Sequence, residues 1–176
     1  AYQATKNELY KQTVYQTLEF IERELSTSEG AFYSSLDADS INYEGELEEG
    51  AFYVWTKHEL QSILGDDYEL FSNYYNVNYY GFWEKENYVL IRRFGDDDFS
   101  KQNDISTTEL TKKVKKWQNL LLEKRSKRNT PRLDDKSLTS WNALMLKGYV
   151  DAYAAFSEKK FLDKAIENAK FLYTKQ

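Results

Sequence analysis

Tyr10, Val14, Leu18, Ile21 and Leu25 recur at three- and four-residue steps, which predicts an amphipathic helix over residues 5–25 with Lys, Gln and Glu outward. Gly30 lies beyond its end. The period then changes: Ala31-Phe32-Tyr33-Ser34 and Gly50-Ala51-Phe52-Tyr53-Val54-Trp55 are short, aromatic and bounded by Gly and acidic residues, and read as strands paired across the acidic loop between them. Thr56 and Glu59 have the spacing of a capping box, so a short helix should run to Leu64 before Gly65, with another near Tyr68 to Tyr75. Tyr88-Val89-Leu90-Ile91 is a strand candidate that the Gly95-Asp96-Asp97-Asp98 group breaks. Helical spacing returns through Leu110, Val114, Trp117 and Leu121, predicting a helix over 106–127.

Two further helices are predicted at 138–156 and 159–174. The first carries a stripe of Leu138, Trp141, Met145, Tyr149, Ala152 and Phe156, the second Phe161, Leu162, Ala165, Ile166, Ala169 and Leu172. The link at Ser157-Glu158 is too short for anything except an antiparallel αα-hairpin. The chain therefore reads as mainly α, built from helical hairpins with a small aromatic β insertion around 31–55.

The length of 176 residues suits one domain, or a piece of a larger one. Acidic residues number 29 against 24 basic, for a net charge of -5, so no basic stripe is available to hold a phosphate backbone and nucleic acid is an unexpected partner. Aromatic residues make up 16%, and 15 of them are Tyr. Such rings suit a sugar or peptide groove, or a core of half-buried tyrosines. With no Cys there is no disulfide, thiolate or Cys-based metal site. No apolar run is long enough to cross a bilayer, no secretory h-region is present in residues 1–25, and a cytoplasmic setting fits. The start at Ala1 inside a helical pattern suggests an excised fragment. There is no GxGxxG, P-loop, HExxH or GxSxG, and no cofactor is expected.

Candidate chemistry gathers in three stretches. Asp134 and Asp135 stand side by side just before the helix at 138, where mutual repulsion could raise one pKa and make a general acid. Lys136 or Arg132 could cancel that effect, leaving a capping and salt-bridge cluster. Trp141 and Asn142 fall in that helix's first turn. A Trp face can lie on a pyranose and an Asn can donate to and accept from hydroxyls, although Trp141 also belongs to the apolar stripe. Asp37 and Asp39, two apart, present carboxylates on one face of an extended segment, for a ligand or for loop-ordering bonds to backbone. The spacing lacks the pattern of a calcium loop, and no metal is assigned. Glu49 before Gly50 is a further candidate acid at a pocket rim, or a solvated turn residue. His58, the one His, reads as a surface or capping residue.

Four of these segments together carry a resemblance. Phe32-Tyr33-Ser34-Ser35-Leu36-Asp37-Ala38-Asp39-Ser40, Glu49-Gly50-Ala51-Phe52-Tyr53-Val54-Trp55-Thr56, Arg125 and Arg128 ahead of Pro131, and Asp134-Asp135-Lys136 with Trp141-Asn142 resemble the uncharacterised thioredoxin-domain-containing family. That family takes in YyaL-like bacterial proteins and the animal spermatogenesis-associated homologue. The resemblance spans nearly the whole chain, which looks like about a quarter of a full member. It implies a thioredoxin-like domain, absent here, followed by an α/α toroid similar to six-hairpin glycosidases and N-acylglucosamine epimerases. This chain would be a single piece of that toroid. Two departures stand out: Ala143 follows Trp141-Asn142 where the family has Gly, and Gly81-Phe82 stands where Gly-Asn is usual.

By analogy of fold, the resemblance implies carbohydrate processing, with Asp134 or Asp135 as acid or base, Trp141 as a stacking platform, and Asp37, Asp39, Glu49 and Asn142 on ligand hydroxyls. The competing expectation is a non-catalytic ligand-binding or protein-interaction domain using the same polar cleft. The partners implied are a carbohydrate or other small polar ligand and the missing portions of the full-length chain. The chain alone is expected to show little turnover, since a toroid cavity needs its opposite wall.

Overall fold

The computed structural model describes residues 1–175. The helices are α1 (Tyr2–Thr5), α2 (Glu8–Glu24), α3 (Lys57–Leu64), α4 (Tyr68–Tyr75), α5 (Asp96–Gln102), α6 (Thr107–Arg125), α7 (Thr139–Phe156) and α8 (Lys159–Lys175). The strands are two or three residues each: β1 (Ser35–Leu36), β2 (Asp39–Ile41), β3 (Leu47–Glu49), β4 (Trp55–Thr56), β5 (Asn87–Tyr88) and β6 (Leu133–Asp134). They form three separate antiparallel pairs, β1 with β6, β2 with β3 and β4 with β5. The fold is thus mainly α with small antiparallel sheets. No helix among the described residues is long and apolar enough to cross a membrane.

The chain divides into two compact units, one from residues 1–37 with 132 onward, the other Ala38–Pro131. In the first, α7 and α8 form the expected hairpin, and Ser157 turns the chain at φ 57°. Helix α2 starts at Asn7, whose side chain accepts from Leu9 N. Leu18, Phe32, Tyr149, Ala152, Phe161 and Ala165 make the core, with Phe32 and Tyr149 stacked at 5.7 Å between centroids.

Phe32 was expected in a strand, yet it makes only an isolated antiparallel bridge with Ser26, and its own N–H and C=O are held by a side chain. Asn142 Oδ1 accepts from Phe32 N at 2.8 Å and Asn142 Nδ2 donates to Phe32 O at 3.1 Å, so one amide stands in for a strand partner. Asn168 Nδ2 donates to Asn142 Oδ1 at 3.0 Å and to Gly30 O at 2.8 Å, and both Asn side chains are fully buried. The approach is close enough that a Cβ at Gly30, whose φ is 87°, would meet Glu167 Cγ at 2.5 Å. The turn of α7 that buries Asn142 leaves Trp141 48% exposed and Leu138 39% exposed, so neither joins the core stripe expected of them.

In the second unit, α3 carries the predicted capping box: Thr56 accepts from Glu59 N, and the Glu59 carboxylate accepts from Thr56 N. Phe71, Leu60, Leu110 and Trp117 are completely buried at the centre of an aromatic core that also contains Trp55, Tyr74, Tyr75 and Phe99. Burial of side chains this size contributes about 2–3 kcal/mol each. Asp67 braces α6 against this core, accepting from Lys113 at 2.7 Å, Lys116 at 2.9 Å and Trp117 Nε1 at 3.1 Å. The Lys113 bond, followed by that of Lys116, holds the Asp67 carboxyl far below the usual carboxylate range.

The strand expected at 50–55 is a turn over most of its length. Gly50 adopts φ 73°, and its carbonyl accepts from Tyr53 N at 2.7 Å and Val54 N at 3.1 Å. Only Trp55–Thr56 pairs as strand, with Asn87–Tyr88, and the strand expected over 88–91 ends at Tyr88. The segment at 31–34 does not pair with it either, since Ser35 and Leu36 pair with Asp134 and Leu133.

Replacing Asn142 with Ala leaves the buried N–H and C=O of Phe32 without their amide partner, and Asn142→Ala should cost about 2–4 kcal/mol of stability. Urea denaturation followed by circular dichroism measures this, and a loss under about 0.5 kcal/mol would contradict the bridging role.

Candidate functional site

The residues singled out from sequence fall in both units. In the first, β1 against β6 brings the 34–37 backbone alongside 132–136: Asp37 N donates to Arg132 O at 2.8 Å and Ser34 N to Asp134 O at 3.2 Å. Asp134 pairs with Lys136 Nζ at 3.0 Å. The Lys136 side-chain bond is the main cause that holds the Asp134 carboxyl below its usual range, the effect anticipated from Lys136. Asp135 and Asp37 are exposed, as is Trp141, while Asn142 lies in the core with its amide committed to Phe32. In the second unit, Asp39 and Glu49 are directly opposite each other across the β2–β3 ladder. Like charges in register oppose the pairing, an arrangement tolerable because Glu49 is solvent-exposed.

A cavity of about 520 Å³ lies wholly within the second unit, walled by Ile41, Ala51, Phe52 and Val54 on its apolar side and by Tyr43, Glu48, Glu59, Asn87, Lys127, Arg128 and Asn129 on its polar side. Its framework is Arg128. One terminal nitrogen donates to three backbone carbonyls, Ala51 at 3.3 Å, Phe52 at 3.0 Å and Val54 at 2.7 Å, and the other donates to Glu59 at 3.1 Å. The guanidinium carbon sits 4.0 Å from the centroid of Trp55. These bonds account for the missing strand at 50–54: carbonyls that a ladder would use accept from Arg128 instead.

Glu59 closes the framework. Its carboxylate accepts from Thr56 N at 2.9 Å, Thr56 Oγ1 at 3.1 Å, Tyr43 OH at 2.9 Å and Arg128. Burial pushes the Glu59 carboxyl up, but the bonds from Thr56 and Tyr43 and the Arg128 charge outweigh it and hold the group below its ordinary value.

Each remaining charge on the wall also has a partner. Glu48 accepts from Lys85 at 2.7 Å and from Asn42 at 2.9 Å, and Lys127 donates to Glu123 at 2.9 Å. By contrast, the Asn87 side chain has no hydrogen bond among the described residues, and Asn129 uses only its Nδ2, on Ile41 O at 3.1 Å. The wall therefore combines neutralised ions, apolar surface and open amide groups. Among the described residues no group of three or more His, Asp or Glu side chains could hold a metal ion.

Glu59 was legible from sequence only as a capping residue, and Arg128 only through the family resemblance. The partners of Arg128 are backbone carbonyls about 75 residues away, which leave no mark in side-chain spacing.

Comparison with known proteins places the chain. No family model matches it. It is 33% identical over 193 residues to human spermatogenesis-associated protein 20 and 30% identical over 192 residues to the mouse protein, in each case across 98% of this chain. An uncharacterised protein of Caenorhabditis elegans is 30% identical over 185 residues, across 95% of this chain. The chain spans about a quarter of the length of these curated relatives, 24% of the human and 25% of the nematode protein.

Lysine cannot reproduce the planar fork, so Arg128→Lys should cost about 2–3 kcal/mol in urea denaturation. Because the folded Glu59 carboxyl is depressed, its contribution is complete above its ordinary value of 4.5 and is lost as pH falls through the folded value. Stability measured from pH 7 down to pH 3 should therefore decline less steeply in Glu59→Gln than in the wild type, and parallel curves would contradict the assignment.

Proposed function

For this chain, which belongs to the family of spermatogenesis-associated protein 20, we propose ligand binding without turnover, with an uncharged polar small molecule of the carbohydrate class seated in the cavity of the second unit. The observation that carries this reading is the charge balance of the wall. Glu59, Glu48, Arg128 and Lys127 are each neutralised by a protein partner, while the Asn87 amide is left open. An ionic ligand would have to break one of those pairs. A hydroxylated neutral ligand needs only to donate to and accept from the amides and rest its apolar face on the exposed Ile41.

The toroid implied by the family resemblance is part of the same proposal, with α7 and α8 as one of its hairpins. Carbohydrate processing is the second reading. It keeps one support, the exposed Asp135, which makes no ion pair among the described residues beside Asp134. Against it stands the Lys136 contact, which keeps Asp134 ionised and unsuited to donating a proton near neutral pH.

Calorimetric titration with neutral mono- and disaccharides should detect binding that changes little between about 0.05 and 0.5 M salt, since no charge on the ligand is screened. Asn87→Ala should weaken it roughly 3- to 10-fold, the worth of one neutral hydrogen bond. Sugar turnover by the wild type, abolished in Asp135→Asn, would replace binding with the catalytic reading.

A further inference from the structure

We infer that the ligand is a chain of neutral sugar rings rather than a single one, extending from the cavity over an aromatic ledge formed by residues 79–83. The inference rests on the proposed cavity site and adds to it the class and size of the ligand.

The ledge is a run of uncovered rings. Tyr79 is 89% exposed, Tyr80 56%, Phe82 51% and Trp83 48%, a density of exposed aromatic surface that a soluble face does not otherwise require. It is also held in place. Trp83 N donates to Asn87 O at 2.9 Å and Val89 N to Gly81 O at 2.8 Å, closing a hairpin whose tip residues Lys85 and Glu86 take φ 47° and 66°. At its base the backbone passes so close that a Cβ on Gly81 would lie 2.3 Å from Asn76 O and 2.8 Å from Val89 O. Phe82 packs edge-on against the buried Tyr88, and the Arg93 guanidinium lies 3.7 Å from the Tyr80 centroid. The Phe82 and Tyr80 rings, fixed in this way, lose little freedom on meeting a ligand.

Continuity with the cavity decides what covers them. Asn87, the open amide of the cavity wall, is the residue that pairs with Trp83 across the hairpin. The hairpin tip is tied to the same wall, since Lys85 Nζ meets Glu48 at 2.7 Å. A ligand bonded to Asn87 thus has Trp83, its partner across the hairpin, as the nearest of these rings. Rings alternating an apolar face with hydroxyl edges match such a ledge, whereas an anionic chain would be repelled by the electron-rich ring faces. Adjoining subsites raise affinity with ligand length because each added ring binds at the effective concentration set by the one before.

The experiment is a calorimetric length series of neutral oligosaccharides, one to six rings in several linkages, on the wild type, Trp83→Ala and Tyr79→Ala. At least one series should gain about tenfold or more in affinity between one and three rings. Both substitutions should remove most of that gain while binding of the single ring persists, and the exposure of Tyr79 makes that variant safe for the fold. Single-ring binding with no gain from length overturns the ledge and leaves the cavity reading standing. Absence of binding at every length and linkage overturns both. A dimer that forms with concentration and is lost in Trp83→Ala, with no dependence on sugar length, would assign the rings to a second copy and overturn the inference as well.

Discussion

The second unit depends on one half-buried guanidinium. Arg128 supplies donors to three carbonyls in a five-residue turn and a charge to Glu59, and by doing so it converts a segment with strand-like composition into the wall of a cavity. An Arg so placed is costly to desolvate and is retained only where its fork is fully matched. Four acceptors and the Trp55 face provide that match. The most conspicuous charge at the site is already satisfied, and under the proposed function recognition would pass to the amides around it.

The first unit solves a related problem with neutral groups. Its 30–32 segment has backbone that no sheet covers, and Asn142 with Asn168 supplies the missing partners from α7 and α8. In both units a polar side chain satisfies main chain that the short strands leave unpaired, which is why strands of two or three residues suffice. That same commitment removes Asn142 from the polar surface near Trp141 and Asp135.

Helices α2, α3, α4, α6, α7 and α8 were legible because each runs for two turns or more with apolar residues in step, and the Thr56 to Glu59 spacing marked a helix start to the residue, whereas the short α1 and α5 were not foreseen. The αα-hairpin followed from a link too short for any other course. Strand partners were not legible: a pair of residues such as Ser35-Leu36 has no periodicity to read, and its partner Leu133-Asp134 lies across the whole second unit in sequence. Asn142 was half legible, since a buried amide demands partners, but nothing local points to Phe32, 110 residues earlier. The carboxylates at 134 and 135 left two environments open in sequence, a raised acid or a salt-bridge cluster, because the outcome at Asp134 turned on whether Lys136 reached it. The cavity was the least legible feature, being assembled from Arg128 and backbone oxygens that carry no sequence signature.

The proposed recognition by the neutral amides of the second unit can be read by nuclear magnetic resonance of the side-chain amide and indole groups during titration with a neutral sugar. The Asn87 and Asn129 amide resonances should shift progressively while the Trp141 indole stays in place. Shifts confined to the Trp141 indole and the backbone of Asp134 to Lys136, with Asn87 unmoved, would contradict it.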